Sequence, residues 1–169
     1  GCKEMVLRAW QSDDYENTLQ KHYRQIAMAE VAKSAFEAKD MGYLRKEDLI
    51  IFNPAELLYV AKSQAKLLAD SRYYPPLKPK FEVAGTSAKA TIMMLVKNLQ
   101  KGQFASDHDY TIACLLAEVM TGGDLHAKTS VNAQWFLRLE REKFLELVKT
   151  KKSQARILHM LKTGKPLRN

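Results

Sequence analysis

Four consecutive apolar residues, Leu49-Ile50-Ile51-Phe52, constrain this chain more than any other stretch, because they stand between two strong stop signals. Before them, Ser34-Ala35-Phe36-Glu37 has the form of a capping box. The serine hydroxyl takes a free amide of the first turn, and the glutamate three positions on reaches back to the cap amide. Gly42 then closes the short helix, since glycine adopts the left-handed conformation without a Cβ clash. After them, Asn53-Pro54-Ala55-Glu56 opens a long helix. Asparagine caps it, and proline at its first position has φ already set and lacks only an amide that would be unpaired anyway. The four residues between are too few and too evenly apolar for a helix, so Leu49–Phe52 reads as a strand buried on both faces. Such a strand needs a partner, and the rest of the chain offers little β-signal to supply one.

Elsewhere the apolar spacing is helical. Met5, Val6 and Ala9 suit a short first helix. Asp13 and Asp14 can cap a second, whose buried face holds Leu19, His22, Tyr23 and Ile26 and which runs to about Glu30. The helix begun at Asn53 carries an apolar stripe of Leu57, Leu58, Val60, Ala61, Ala65 and Leu68 and ends near Asp70. Three of the five prolines follow in Tyr73–Pro79, which predicts an extended, exposed segment. Thr86 or Ser87 caps the next helix, Ser106-Asp107 another that closes at Gly122-Gly123, and Asn132 or Ser130 a third. A last helix spans Ser153 to about Lys162 and stops at Gly164. The expected fold is mainly α, with at most one or two short strands. Its expected divisions are a helix-turn-strand-helix part over 1–72, a proline-rich connector over 73–85, and a helical part over 86–169.

Hydrophobic residues make up 46% and charged residues 27%, a globular rather than a disordered balance. Net charge is +8, and +7 of it lies between Arg141 and Asn169, where nine Lys or Arg face only Glu142 and Glu146. A basic tail is a solvated helix face or a receiver of phosphates. A nucleic-acid surface would interleave aromatics with the cations, and none follows Phe144, so a compact phosphorylated ligand suits the tail better. Two cysteines without C-x-x-C spacing suit a reducing cytosol, with Cys114 a core residue. No apolar run approaches the length of a membrane span.

Ser106-Asp107-His108-Asp109 holds the residue types of a hydrolytic triad, but triad members converge from separate elements, so a helix cap is the better reading. The histidines at 22, 108, 126 and 159 show no metal-ligand spacing; His22 belongs to a helix face and the others to the surface. There is no G-x-G-x-x-G and no P-loop.

Several stretches, in order, carry a family likeness: Gly1-Cys2-Lys3-Glu4-Met5, SAFEAKDMGYLRKEDLIIFNPAELL, Tyr73-Tyr74-Pro75-Pro76, and the terminal LERE…HMLKTGKPLRN. The chain resembles the C-terminal part of the enoyl-CoA hydratase segment, of the crotonase superfamily, in bacterial multifunctional proteins that join it to a 3-hydroxyacyl-CoA dehydrogenase. The resemblance covers essentially the whole length. It implies a parent enzyme of fatty-acid β-oxidation, cytoplasmic, with acyl-CoA as substrate and NAD in its dehydrogenase part.

In that family two glutamates move protons as water adds across the double bond, and backbone amides stabilise the developing enolate oxygen. Those groups precede a glycine-rich turn whose end looks like Gly1-Cys2-Lys3-Glu4, so the resemblance places no catalytic residue in this chain, and no metal. What it implies here is a set of helices that cover the acyl-CoA site and make subunit contacts with the remainder of the parent chain or with further copies. Lys162 and Lys165 stand where the resemblance puts cations that meet CoA phosphates. The alternative is a stand-alone basic helical module that binds nucleic acid or a protein partner.

Overall fold

The computed structural model describes residues 1–75 and 77–169, and its helices begin where short polar side chains can take up free amides. Asp14 accepts from the Asn17 amide, Ser34 from Glu37, Asn53 from Ala55, Asn132 from Trp135 and Thr150 from Ser153. The resulting helices are α1 (Cys2–Trp10), α2 (Tyr15–Ala27), α3 (Ala35–Asp40), α4 (Leu57–Asp70), α5 (Gly85–Lys101), α6 (Asp107–Thr121), α7 (Ala133–Val148) and α8 (Lys151–Thr163). One 3₁₀ turn, Pro54–Glu56, leads into α4. The fold is mainly α, as the caps and periodicities imply. Among the described residues, no helix is long and apolar enough to cross a membrane.

The strands are not where the apolar run pointed. Leu49–Phe52 is irregular chain, with Leu49 61% and Phe52 81% exposed. Its neighbours fold locally, so the run meets no extended backbone to complete a ladder, and the Phe52 ring instead lies 6.0 Å from that of Phe36. The strand pair that does form is β1 (Phe81–Glu82) with β2 (Ser130–Val131), antiparallel, in the register Phe81↔Val131 and Glu82↔Ser130. Two-residue strands leave no alternation for a sequence to display.

Contacts divide the chain into two units, Gly1–Glu30 with Pro79–Asn169, and Val31–Lys78. In the first unit α1 packs on α2, α6 and α7, and α5 lies along α6. Its core centres on Phe81 and Phe136, whose rings stack 5.2 Å apart, with Val6, Leu19, Ile92 and Met120 fully buried around them. Two glycines let this core close. Gly122 caps α6 with φ +91, and a Cβ there would overlap the Val83 side chain. Gly85 opens α5 with φ +74 against the backbone of His126 and Ala127. The helix therefore starts before the expected Thr86 or Ser87, because Thr86 donates its amide across to the Leu125 carbonyl instead. Likewise α2 ends at Ala27 rather than Glu30, where Ala29 turns to φ +53.

Among its described residues, the second unit has no buried side chain. The expected stripe of α4 is exposed except for half-buried Val60, with Leu58 at 80%. An amphipathic helix gains stability by covering its apolar face, and among its described residues this unit carries no second layer of its own to do so. The capping box also differs in detail: the Glu37 carboxylate accepts from the Lys33 amide, one residue before the cap. In the expected extended segment Tyr74, Pro75 and Leu77 are exposed, and Pro76 lies outside the described residues.

Candidate functional site

The first unit encloses an open cleft of about 930 Å³, within the ~300–1,000 Å³ range typical of small-molecule sites. Its surface is overwhelmingly apolar. Ile92 and Val96, one turn apart on α5, are buried at its base, while Leu95 and Leu99 from the same helix stay half open to it. Ile112 and Leu116 of α6 and Phe144 of α7 line the facing walls. Tyr23 of α2 also lines it, with its hydroxyl donating to the Ala113 carbonyl at 2.9 Å; burial holds its pKa above the usual phenol range.

Charged side chains from α2, α6, α7, α8 and the tail also line the cleft. Lys21, Arg24 and Arg168 contribute cations. Lys143 is committed elsewhere: it contacts Glu118 at 2.5 Å and Glu146 at 3.6 Å, which raises its pKa, the Glu118 hydrogen bond most. Glu118 also meets Lys89 at 3.7 Å, so one carboxylate ties α5, α6 and α7 together. Cys2 borders the cleft beside Glu140; burial and then the carboxylate push its thiol up to about 12, which keeps it protonated and unreactive at neutral pH.

The tail is clasped at one end of this cleft. Arg156 donates from Nη1 to Asp109 Oδ1 at 2.7 Å, from Nε to Asn169 Oδ1 at 2.8 Å and from Nη2 to the Asn169 carbonyl at 3.2 Å. Ser106 Oγ donates to the same carbonyl at 3.0 Å. Burial raises the Asp109 pKa, but the hydrogen bonds from Arg156 and Ser106 outweigh it and leave the carboxyl below its ordinary value. Pro166, Leu167 and Arg168 then lie along the cleft.

These contacts account for Ser106-Asp107-His108-Asp109. Ser106 and Asp109 form a reciprocal capping box, Ser106 Oγ accepting from the Asp109 amide at 3.1 Å and Asp109 Oδ2 from the Ser106 amide at 3.0 Å. Asp107 accepts from Gln100 Nε2 at 2.7 Å. His108 is not the surface residue its sequence context suggested: it is buried, with Nε2 3.0 Å from Oγ of Ser153 in the first turn of α8. His22 is buried on its helix face as expected, Nδ1 2.9 Å from the Met5 carbonyl. Cys114 is only half-buried. Among the described residues, no group of three or more His, Cys, Asp or Glu side chains is placed to hold a metal ion.

Lys162 lies in the last turn of α8 and Lys165 just past the Gly164 cap, where its amide donates to Thr163 Oγ1 at 3.1 Å. Both are exposed, and the cleft takes its lining from Pro166–Arg168 rather than from either lysine. The cleft residues were legible only as core. Ile112, Leu115, Leu116 and Val119 have the ordinary i, i+3, i+4, i+7 spacing of one buried helix face, which does not distinguish a cleft lining from a packed core.

No protein-family model matches this chain, and no solved structure matches it. It is similar to a probable 3-hydroxyacyl-CoA dehydrogenase of Bacillus subtilis (strain 168), 42% identical over 170 residues that take in 100% of this chain and 22% of that protein. The chain therefore spans about a fifth of the length of the curated relative it matches, and it is homologous to a segment of that probable dehydrogenase.

Proposed function

We propose that this chain is the C-terminal helical segment of the enoyl-CoA hydratase part of a bacterial fatty-acid oxidation enzyme, where it covers the acyl-CoA site and makes subunit contacts. The observation that carries this reading is the 42% identity along the whole chain to a segment of a much longer probable 3-hydroxyacyl-CoA dehydrogenase. The ordered motifs from Gly1-Cys2-Lys3-Glu4 to the terminal HMLKTGKPLRN support it. On this reading the parent hydrates 2-enoyl-CoA and oxidises the 3-hydroxyacyl-CoA product with NAD, and the segment alone is catalytically incomplete.

NAD does not fit the residues present here. A dinucleotide cradle needs glycines spaced as G-x-G-x-x-G between a strand and a helix; of the helices that closely follow β1 and β2, α5 opens with Gly85 alone and α7 with no glycine. The cofactor belongs to the dehydrogenase part of the parent. Lys162 and Lys165 are assigned to CoA phosphates, which suits two exposed ammonium groups at a helix C-terminus.

Hydration of crotonyl-CoA, followed by loss of the conjugated-thioester absorbance, tests the reading. The 169-residue chain should be inactive and the full-length protein active. Lys162→Ala with Lys165→Ala in the full-length protein should raise KM several-fold with little change in kcat. Substantial hydratase activity from the 169-residue chain would overturn the assignment. So would tight DNA or RNA binding that weakens steeply with salt, the signature of released counterions, since that belongs to the basic-module alternative.

A further inference from the structure

We propose that the free face of α8 docks on an anionic membrane surface, with Ile157, Leu158 and Leu161 entering the headgroup layer and Lys151 beside them meeting lipid phosphates. The inference goes beyond the acyl-CoA reading and does not depend on it.

The inner side of α8 is committed to the fold. Ser153 is buried, with Oγ 3.0 Å from His108 Nε2, and Arg156 is held by Asp109. What remains outside is not polar. Ile157 and Leu158 each lie one helical turn before Leu161, so the three form one stripe, and they keep 41%, 55% and 79% of their surface in water. Lys151 stands two turns before Leu158 and Lys162 one turn after it, which sets an exposed cation at each end of the stripe.

Composition decides what covers this face. Residues 147–169 hold five lysines and two arginines and no Asp or Glu, so the partner must be anionic. Phe, Tyr and Trp are absent from the same stretch. Protein interfaces concentrate aromatics and arginine and are depleted in lysine, the reverse of what stands here. Nucleic acid would meet the lysines and leave the aliphatic stripe uncovered. An anionic bilayer satisfies both: lysine stems lie along apolar surface while their ammonium groups reach phosphates, and the leucines enter the acyl boundary. The 13 residues of α8 span about 20 Å, short of the ~30 Å hydrocarbon core, so the helix lies on the bilayer and does not cross it.

Vesicle sedimentation of the full-length protein supplies the test. Vesicles of phosphatidylcholine with phosphatidylglycerol should bind it about tenfold or more tightly than phosphatidylcholine alone, a preference that fades as salt rises. Lys151→Ala should weaken binding about fivefold, the worth of one lysine near an anionic surface; Lys162 is left unaltered because it is assigned to CoA phosphates. Leu158→Ser with Leu161→Ser should weaken it about tenfold or more, and because these side chains are exposed the thermal midpoints should stay where they are. The unaltered protein gives an independent readout: hydroxyl-radical footprinting should oxidise Leu158 and Leu161 in free protein and spare them on anionic vesicles. No vesicle binding, equal binding to neutral and anionic vesicles, or binding unchanged in variants that melt normally would each overturn the proposal. So would a Leu161 already protected in the vesicle-free protein, by a second copy or by the rest of the parent chain, or one protected by DNA and not by vesicles.

Discussion

Removing the Phe136 ring should cost this protein about 4 kcal/mol, and removing Leu58 almost nothing, although both are large apolar side chains on helices. Phe136 is 0% exposed and stacks on Phe81 at 5.2 Å. Truncation of a fully buried phenylalanine costs about 3–5 kcal/mol through lost transfer energy and the cavity left behind. Loss of a stacked pair contributes about 0.5–1.5 kcal/mol within that range. Leu58 leaves most of its surface in water already, so Leu58→Ala should fall within about ±0.5 kcal/mol. The assay is urea unfolding, followed for Phe136→Ala by the fluorescence of Trp10 and Trp135, which both lie in the first unit, and for Leu58→Ala by far-ultraviolet circular dichroism, which also reports the helices of the second. With a slope of about 2 kcal/mol/M, Phe136→Ala should lower the midpoint by roughly 2 M. A midpoint shift below about 0.5 M for Phe136→Ala would refute the placement of the core. A shift for Leu58→Ala comparable to that for Phe136→Ala would refute the account of the second unit as a layer without a core.

Two further outcomes follow from particular residues. Gly122→Ala should destabilise by about 1–3 kcal/mol in the same assay, since any Cβ must both adopt φ +91 and displace Val83; Gly1→Ala, where nothing lies within 4 Å, should be silent. Burial lowers the pKa values of His22 and His108 in the folded state, so the unfolded chain binds more protons. The sign follows: their contribution is fully present above the ordinary histidine value of about 6.5 and is lost as pH falls through the folded values. Thermal midpoints should therefore decline from pH 7 towards pH 5, and His108→Gln should flatten that decline; a midpoint that rises on acidification in this range contradicts the assignment.

The sequence alone determined the helices of this protein, because the information that starts and stops a helix is local. Asp14, Ser34, Asn53, Ser106 and Asn132 each satisfy an amide two or three residues away, and Gly122 and Gly164 end helices through a conformation that needs no distant neighbour. The ordered motifs likewise pointed to the homology later found with a segment of a probable 3-hydroxyacyl-CoA dehydrogenase. Burial was not local, and there the reading from sequence failed. Leu49, Phe52 and most of the stripe of α4 have the composition of a core but lie exposed, whereas Phe81 and Val131, with no pattern around them, pair across the first unit. An apolar side chain is buried only if the rest of the chain brings a surface to meet it, and periodicity records the wish without the partner. The cleft is the extreme case. Ile112, Leu116, Leu95 and Leu99 would all pass for ordinary core, and only the tertiary arrangement of α2, α5, α6 and α7 leaves a space among them instead of filling it.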